Sequence, residues 1–294
     1  MMAARILIDA DSTSIHLSPY IHFMNRLHHF LSNCPSNWHR DVLELACHAA
    51  ISAGQHIKAQ YNQPHSITLK GAINLVTETD LASERIIVDI LTRDTEAIPI
   101  MTEEQVDTHS LNMHQLWVVD PLDGTTNFAH GFPFFAVSIA LLESGRPEVA
   151  VVYAPLFDEL FYAVRGYGAW MNSQSIHVTK THRLIEALIG TGFPYEIDQN
   201  LADVIRRLQT FLPQTRDLRR AGAAALDLAF VACGRLDGFY ETHLQPWDTA
   251  AGWLLVEEAG GQVTTFAGTP YSPFYPEILA SNGPLHRQLL ERLQ

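Results

Sequence analysis

The chain has 294 residues, 47% of them hydrophobic and 17% charged, which supplies a sizeable core and excludes a disordered or low-complexity chain. A formal net charge of −13 excludes a surface that attracts nucleic acid as a whole, and suits carboxylates gathered around hard divalent cations. Cys34, Cys47 and Cys233 form no CxxC pair; sparse thiols of this kind fit a reducing, cytoplasmic setting and do not suggest a zinc site.

Residues 1–37 read as a peripheral N-terminal extension in which His16, His22, His28 and His29 are scattered among apolar residues. Its apolar run, Ala3 to Ile8, is too short for a secretory signal and ends at Asp9 and Asp11, and no segment of the chain is long and apolar enough to span a membrane. From Asp41 to about Gln60, Val42, Leu45, Ala46, Ala49, Ala50, Ala53 and Ile57 recur at helical spacing. A second helix is expected after Asp80, with Asp80 as its N-cap.

Strand signals follow at Ala97–Met101, Leu116–Val119, Phe134–Leu142, Val149–Tyr153 and Leu160–Val164. The Leu116–Val119 strand is expected to stop at Asp120-Pro121, because proline cannot continue a regular ladder. Further on, helices (Leu201–Leu212, Ala221–Cys233, Trp247–Glu258, Leu285–Leu293) alternate with strands (Ala187–Gly190, Gly238–Glu241, Gln262–Phe266, Ile278–Ala280). The pattern implies an α+β half over residues 38–180 and an α/β half over 181–294, packed tightly together.

The chemistry concentrates in Trp117-Val-Val-Asp120-Pro-Leu-Asp123-Gly-Thr-Thr-Asn127. A strand delivers Asp120 to its end, Asp123 follows within a turn, and the Leu122 carbonyl between them is a third hard oxygen, a ligand set for Mg²⁺. Gly124 lets the backbone approach an anion, and Thr125, if it opens a helical turn, aims free N–H groups at a phosphate. Glu103-Glu104 after a strand and Asp248 after Trp247 add acids that would read, taken singly, as a solvated loop and a helix cap. His130 and His243 read as rim or structural residues.

Taken together and in order, Glu103-Glu104, Asp120-Pro-Leu-Asp123-Gly-Thr-Thr-Asn127, Trp247-Asp248 and Glu257-Glu-Ala-Gly-Gly261 resemble the motifs of the inositol monophosphatase family. The resemblance covers roughly residues 40–294, and Asn74–Asp80 matches a further family segment. Thr191-Gly-Phe-Pro194 and Arg219–Asp227, followed by Gly234–Glu241, resemble the bacterial SuhB-type members most closely. The resemblance implies a layered α-β-α-β-α sandwich of the sugar-phosphatase type, a homodimer and inhibition by Li⁺. It implies that Glu103, Asp120, the Leu122 carbonyl, Asp123 and Asp248 hold two or three Mg²⁺ ions. Glu103, Thr125 and Asp123 would be catalytic; Gly124 and Thr125 would bind phosphate, and Arg219, Ala224 and Glu241 would lie against the polyol. Thr102 stands where the family often has Gly, Asn74 where an Asp is common, and Lys70 is a candidate to neutralise phosphate.

The expected reaction is hydrolysis of a small phosphorylated polyol, such as an inositol monophosphate, by metal-activated water. An aspartate nucleophile is the rival; the DxxD spacing of Asp120 and Asp123 and the additional acids fit water better. Histidinol phosphate, fructose 1,6-bisphosphate, NADP and 3′-phosphoadenosine nucleotides are alternative substrates. A binding role with the transcription machinery, which SuhB-type proteins have, is the alternative from a different class.

Overall fold

The computed structural model describes residues 34, 36–65, 67–69, 75–95, 98–104 and 114–294. Nearly all of the N-terminal extension, and with it the expectations placed on Lys70 and Asn74, lies outside them. Helix α1 (Asn37–Gln60) begins at Ser36, whose Oγ accepts the N–H of His39. A short antiparallel pair, β1 (Ile67–Leu69) and β2 (Leu75–Thr77), leads into α2 (Glu78–Thr95). Asp80 is not the N-cap of α2. Thr77 precedes the helix, and Asp80, in the first turn, accepts both the N–H (2.9 Å) and the hydroxyl (2.5 Å) of Thr77.

A seven-stranded sheet follows in the order β3 to β9: β3 (Ile100–Thr102), β4 (Gln115–Asp123), β5 (Ala136–Glu143), β6 (Arg146–Ala154), β7 (Glu159–Val164), β8 (Ala169–Met171) and β9 (Gln174–Ile176). β3 runs parallel to β4, and the other neighbours are antiparallel. The short helix α3 (Thr125–Ala129) lies between β4 and β5. A five-stranded sheet has the order β11-β10-β12-β14-β13: β10 (Leu188–Thr191), β11 (Asp217–Arg219), β12 (Gly238–Thr242), β13 (Gln262–Thr264) and β14 (Glu277–Ser281). Its helices are α4 (Ile197–Phe211), α5 (Ala224–Ala232), α6 (Pro246–Glu258) and α7 (His286–Leu293).

Period-two alternation sorts the side chains into layers. On β4, Trp117 and Val119 pack with Leu43, Ala46, Ile87 and Leu91 of α1 and α2, whereas Leu116 and Val118 pack with α5 and α6. On β12, Phe239 joins the α5/α6 side, and Tyr240 joins Phe211, Leu285, Leu289 and Leu293 beyond the second sheet. The stack is α1/α2, first sheet, α5/α6, second sheet, α4/α7, the layered α-β-α-β-α arrangement expected. Helix α5 can sit inside because Ala, Leu, Phe and Val supply all but one of its nine residues. It approaches α6 closely at Gly252, where a Cβ would come within 2.5 Å of the Leu228 side chain.

Two expectations about strands change. β4 does not stop at Asp120 but continues through Pro121 to Asp123 by way of an irregularity in its pairing with β5. Strands β1, β2, β8, β9 and β11 are not among the expected strands; each has three residues, too few to show alternation.

His286 is 2% exposed, with Nε2 2.9 Å from Thr264 Oγ1 and Nδ1 2.8 Å from Ser281 Oγ. Burial lowers its pKa to about 4, so it is neutral in the folded protein at pH 7. The unfolded chain takes up this proton near pH 6.5. Stability contributed by the neutral ring is therefore complete above about pH 6.5 and is lost as pH falls towards 4. His286→Gln, which can still donate to one hydroxyl and accept from the other, should flatten the dependence of urea-unfolding stability on pH between 7 and 5. Gly252→Ala should lower the unfolding free energy by about 1–3 kcal/mol, read from the urea midpoint, because α5 and α6 must separate to admit a methyl group.

Candidate active site

In a regular strand, residues three apart face opposite sides. Asp120 pairs with Ser138 and Asp123 with Ala136, so three steps on β4 match two on β5. The additional residue is a bulge, and it turns both carboxylates to the same face. That face is the inner one, since Ala136 packs with α5 and α6 and Ser138 Oγ donates to the Trp247 carbonyl. The bulge is pinned from the other side of the sheet by Ser83 of α2, whose hydroxyl donates to the Pro121 carbonyl at 2.7 Å. Pro121 costs nothing here, because a bulge does not need its missing N–H.

Three further acids reach the same place. Thr102 of β3 is level with Val119 of β4, so Glu103 emerges beside Asp120. Asp248 lies in the first turn of α6, where its carboxylate accepts the N–H of Gln245 at 2.6 Å. Glu241 lies on β12, and Gly192 lies so close to its carboxylate that any Cβ there would overlap it. The Asp123 carboxylate accepts the N–H of Ala225 at 2.8 Å, at the start of α5. The acids therefore converge where the N-termini of α5 and α6 meet the bulge.

Burial dominates the electrostatics. Asp120 is raised well above the usual carboxylate range by burial, then by the charges of Glu103, Asp123 and Asp248. Burial raises Asp123 to about 7, although the backbone N–H groups of Ala225, Leu226 and Ala224 oppose the shift. Asp248 is raised by burial and by Asp123, and Glu241 is raised to about 8 by burial against the pull of Arg220. Like charges are thus held in a poorly solvated place without enough positive charge from the chain. Among the described residues, no three acids, histidines or cysteines close on one point as a finished metal cage would. The donor set still fits hard divalent cations: carboxylates from Glu103, Asp120, Asp123 and Asp248 with the Leu122 carbonyl, and no nitrogen or sulfur ligand.

Gly124 adopts the left-handed conformation (φ 92°), and a Cβ there would meet the Phe134 carbonyl at 3.0 Å and the Ala223 side chain at 3.2 Å. Thr125 then opens α3, as the sequence suggested. Its hydroxyl lies 2.7 Å from Asp80 Oδ1 and 3.1 Å from the Leu122 carbonyl, and donates to them. Asp80, 1% exposed, is raised by burial and held down by hydrogen bonds from Thr77 and Thr125. Sequence reasoning missed Asp80 as a site residue because a carboxylate at a helix start is fully accounted for as a cap. In the sequence Asn127 carries no signal beyond its place in the motif, yet its amide donates to the carbonyls of Phe134 (2.7 Å) and Ala221 (2.8 Å), which ties α3 to the segment leading into α5.

Of the expected site residues, Glu103, Asp120, Leu122, Asp123, Gly124, Thr125, Ala224, Glu241 and Asp248 are brought together. Arg219 is not. Its exposed guanidinium donates to the Asp217 carboxylate and the Leu218 carbonyl at the edge of the second sheet. The next residue, Arg220, is the cation facing Glu241 and Asp227, and it lies over the Phe193 ring at 5.4 Å. Adjacent residues of an extended segment point to opposite sides, and a pair of arginines gives no sequence signal for which one turns inward.

The uncompensated acids make a stability prediction. Without divalent cations at pH 7.5, Asp123→Asn should unfold at a higher urea concentration than the parent chain, since it removes a buried like charge and its amide oxygen can still accept from Ala225. Millimolar Mg²⁺ should raise the midpoint of the parent and leave that of the variant nearly unchanged.

Comparison with known proteins points the same way. Residues 38–294 match the model of the inositol monophosphatase family. The chain is 41% identical over 255 residues to Nus factor SuhB of Escherichia coli strain K12, covering 86% of this chain and 96% of the relative. It is 41% identical over 252 residues to inositol-1-monophosphatase of Synechocystis, covering 85% and 88%. Among solved structures, the extragenic suppressor protein suhB of Bartonella henselae superposes with a TM-score of 0.83 at 38% identity, covering 86% of this chain and 98% of that one.

Proposed function

Since this chain belongs to the inositol monophosphatase family of phosphatases, we propose that it is a Mg²⁺-dependent phosphomonoesterase acting on inositol monophosphates. The observation that carries the reading is the buried set of acids at the β4 bulge, raised by burial and by one another's charge. Glu103, Asp120, Asp123, Asp248 and the Leu122 carbonyl would hold two or three Mg²⁺ ions. When bound, these ions supply Lewis-acid stabilisation of the phosphoryl charge and lower the pKa of water.

The chain's own residues do the rest. Gly124 lets the backbone come close to the phosphoryl oxygens, and the N–H groups at Gly124 and Thr125 favour their negative charge. Thr125 donates its hydroxyl hydrogen towards Asp80 and Leu122, so its free lone pair can accept from the attacking water. Asp80 is placed to receive the threonine proton as the water proton arrives, with Glu103 orienting the water from the other side. No covalent phosphoenzyme is required. Glu241 and Ala224 border the space left for the polyol, with Arg220 taking the place first given to Arg219.

Likeness to inositol-1-monophosphatase of Synechocystis supports the substrate class; histidinol phosphate, fructose bisphosphate and nucleotide phosphates are the competing esters. Lithium sensitivity, a homodimer and a binding role in transcription accompany the reading by resemblance alone. The test is phosphate release from myo-inositol 1-phosphate. Release should require Mg²⁺, stop with EDTA, fall with Li⁺ and vanish in Asp123→Asn while that variant stays folded. An active, Mg²⁺-dependent Asp123→Asn would sink the scheme.

A further inference from the structure

Strand β10 runs parallel to β12, with Thr191 level with Tyr240, so the segment leaving β10 and the Glu241 end of β12 emerge side by side. In parallel α/β sheets, ligands are bound beyond the carboxyl ends of strands, where such segments lie. The segment is Gly192-Phe193-Pro194-Tyr195-Glu196, and it leads into α4. Gly192 touches the Glu241 carboxylate, and Phe193 carries the Arg220 guanidinium on its face. Two residues further on, past the rigid Pro194, comes Tyr195.

Tyr195 is 56% exposed, the highest value for any large apolar side chain among the described residues. Burial, and then the charges of Glu103, Asp248, Asp120 and Asp123, raise its phenol above the usual range, so the side chain lies within reach of those acids. Its hydroxyl makes no hydrogen bond with the other described residues. Nothing in the packing of the fold accounts for an aromatic ring here, since the cores end at Val204 and Phe211 of α4. The Phe193 ring is covered by the Arg220 guanidinium, so Tyr195 supplies the exposed aromatic ring of this segment.

We propose that Tyr195 is a specificity-determining residue whose ring receives the C–H face of a cyclic polyol or sugar phosphate beside Glu241, and so favours ring esters over open-chain ones. A cyclic polyol is amphipathic: its hydroxyls lie at the rim and need hydrogen-bond partners such as Glu241, and its ring carbons present C–H groups that pack on an aromatic face. An open-chain phosphate has the same phosphoryl group but no such face. This inference rests on the phosphatase reading above. It names the part of the site that reads the alcohol, whereas the acids and the Gly124-Thr125 turn read the phosphate.

The experiment compares KM and kcat of the full-length parent, Tyr195→Ala and Tyr195→Phe on myo-inositol 1-phosphate and glycerol 2-phosphate with saturating Mg²⁺. Tyr195→Ala should raise KM for the inositol ester about tenfold, the size of a single good aromatic contact, with kcat and the glycerol ester unchanged. Tyr195→Phe should restore the parent KM, since the ring makes the contact. An equal effect on both esters, a loss in kcat alone, a parent-like Tyr195→Ala, or a Tyr195→Phe as impaired as Tyr195→Ala would overturn the assignment. Failure of the phosphatase reading looks different: the parent itself would turn over neither ester, which would overturn both.

Discussion

The structure depends on one local constraint, the bulge that turns Asp120 and Asp123 to the same buried face of β4. Without the additional residue, one of the two carboxylates would point into the layer of α1 and α2, among Leu43, Ile87 and Trp117. With it, both meet the N-termini of α5 and α6, where N–H groups and helix dipoles offset part of the cost of burying negative charge. The offset is incomplete, and Asp120 stays raised well above the usual carboxylate range by burial and by the charges of Glu103, Asp123 and Asp248. The neighbouring features serve the same geometry: Ser83 holds the Pro121 carbonyl, Gly124 makes the turn after Asp123, and Asn127 ties that turn to the segment before α5.

The layers explain why the residues of the site come from so many segments. α5 and α6 are sandwiched between two sheets, so their N-termini look towards the ends of strands from both. β3 and β4 contribute Glu103, Asp120 and Asp123 from the first sheet, and β12 contributes Glu241 from the second. The site is built on rigid elements, with Gly252 allowing the close approach of the two inner helices. In the proposed reading the two sheets divide the recognition: the first sheet and α3 would surround the phosphoryl group, and the second, with its β10–α4 segment, would face the alcohol.

Most of the long elements were legible because each buries a continuous face: the helical spacing of Val42 to Ile57 and the apolar runs of β5, β6 and β7 each persist for several residues. The element boundaries were less so. β4 passed through Pro121 against the local rule, because a bulge needs no N–H there. Asp80 was read as a cap and does make a capping hydrogen bond, but its second carboxylate oxygen accepts from Thr125, 45 residues away. No local pattern carries such information. Arg219 and Arg220 show the same limit, since the choice between them is set by how the chain leaves β11 after Arg219.

By itself, the sequence determined the chemistry: a set of acids with a carbonyl between two of them, a glycine followed by two threonines, and hydrophobic periods sufficient for alternating helices and sheets. These are properties of residue type and near spacing, which a chain carries before it folds. Only the tertiary structure decided that Asp120 and Asp123 share a face, that Asp80 holds Thr125, that Arg220 rather than Arg219 turns to Glu241, and that Tyr195 stands exposed. Each of those depends on the register between strands or on the packing of segments far apart in the chain, and neither is a function of local sequence.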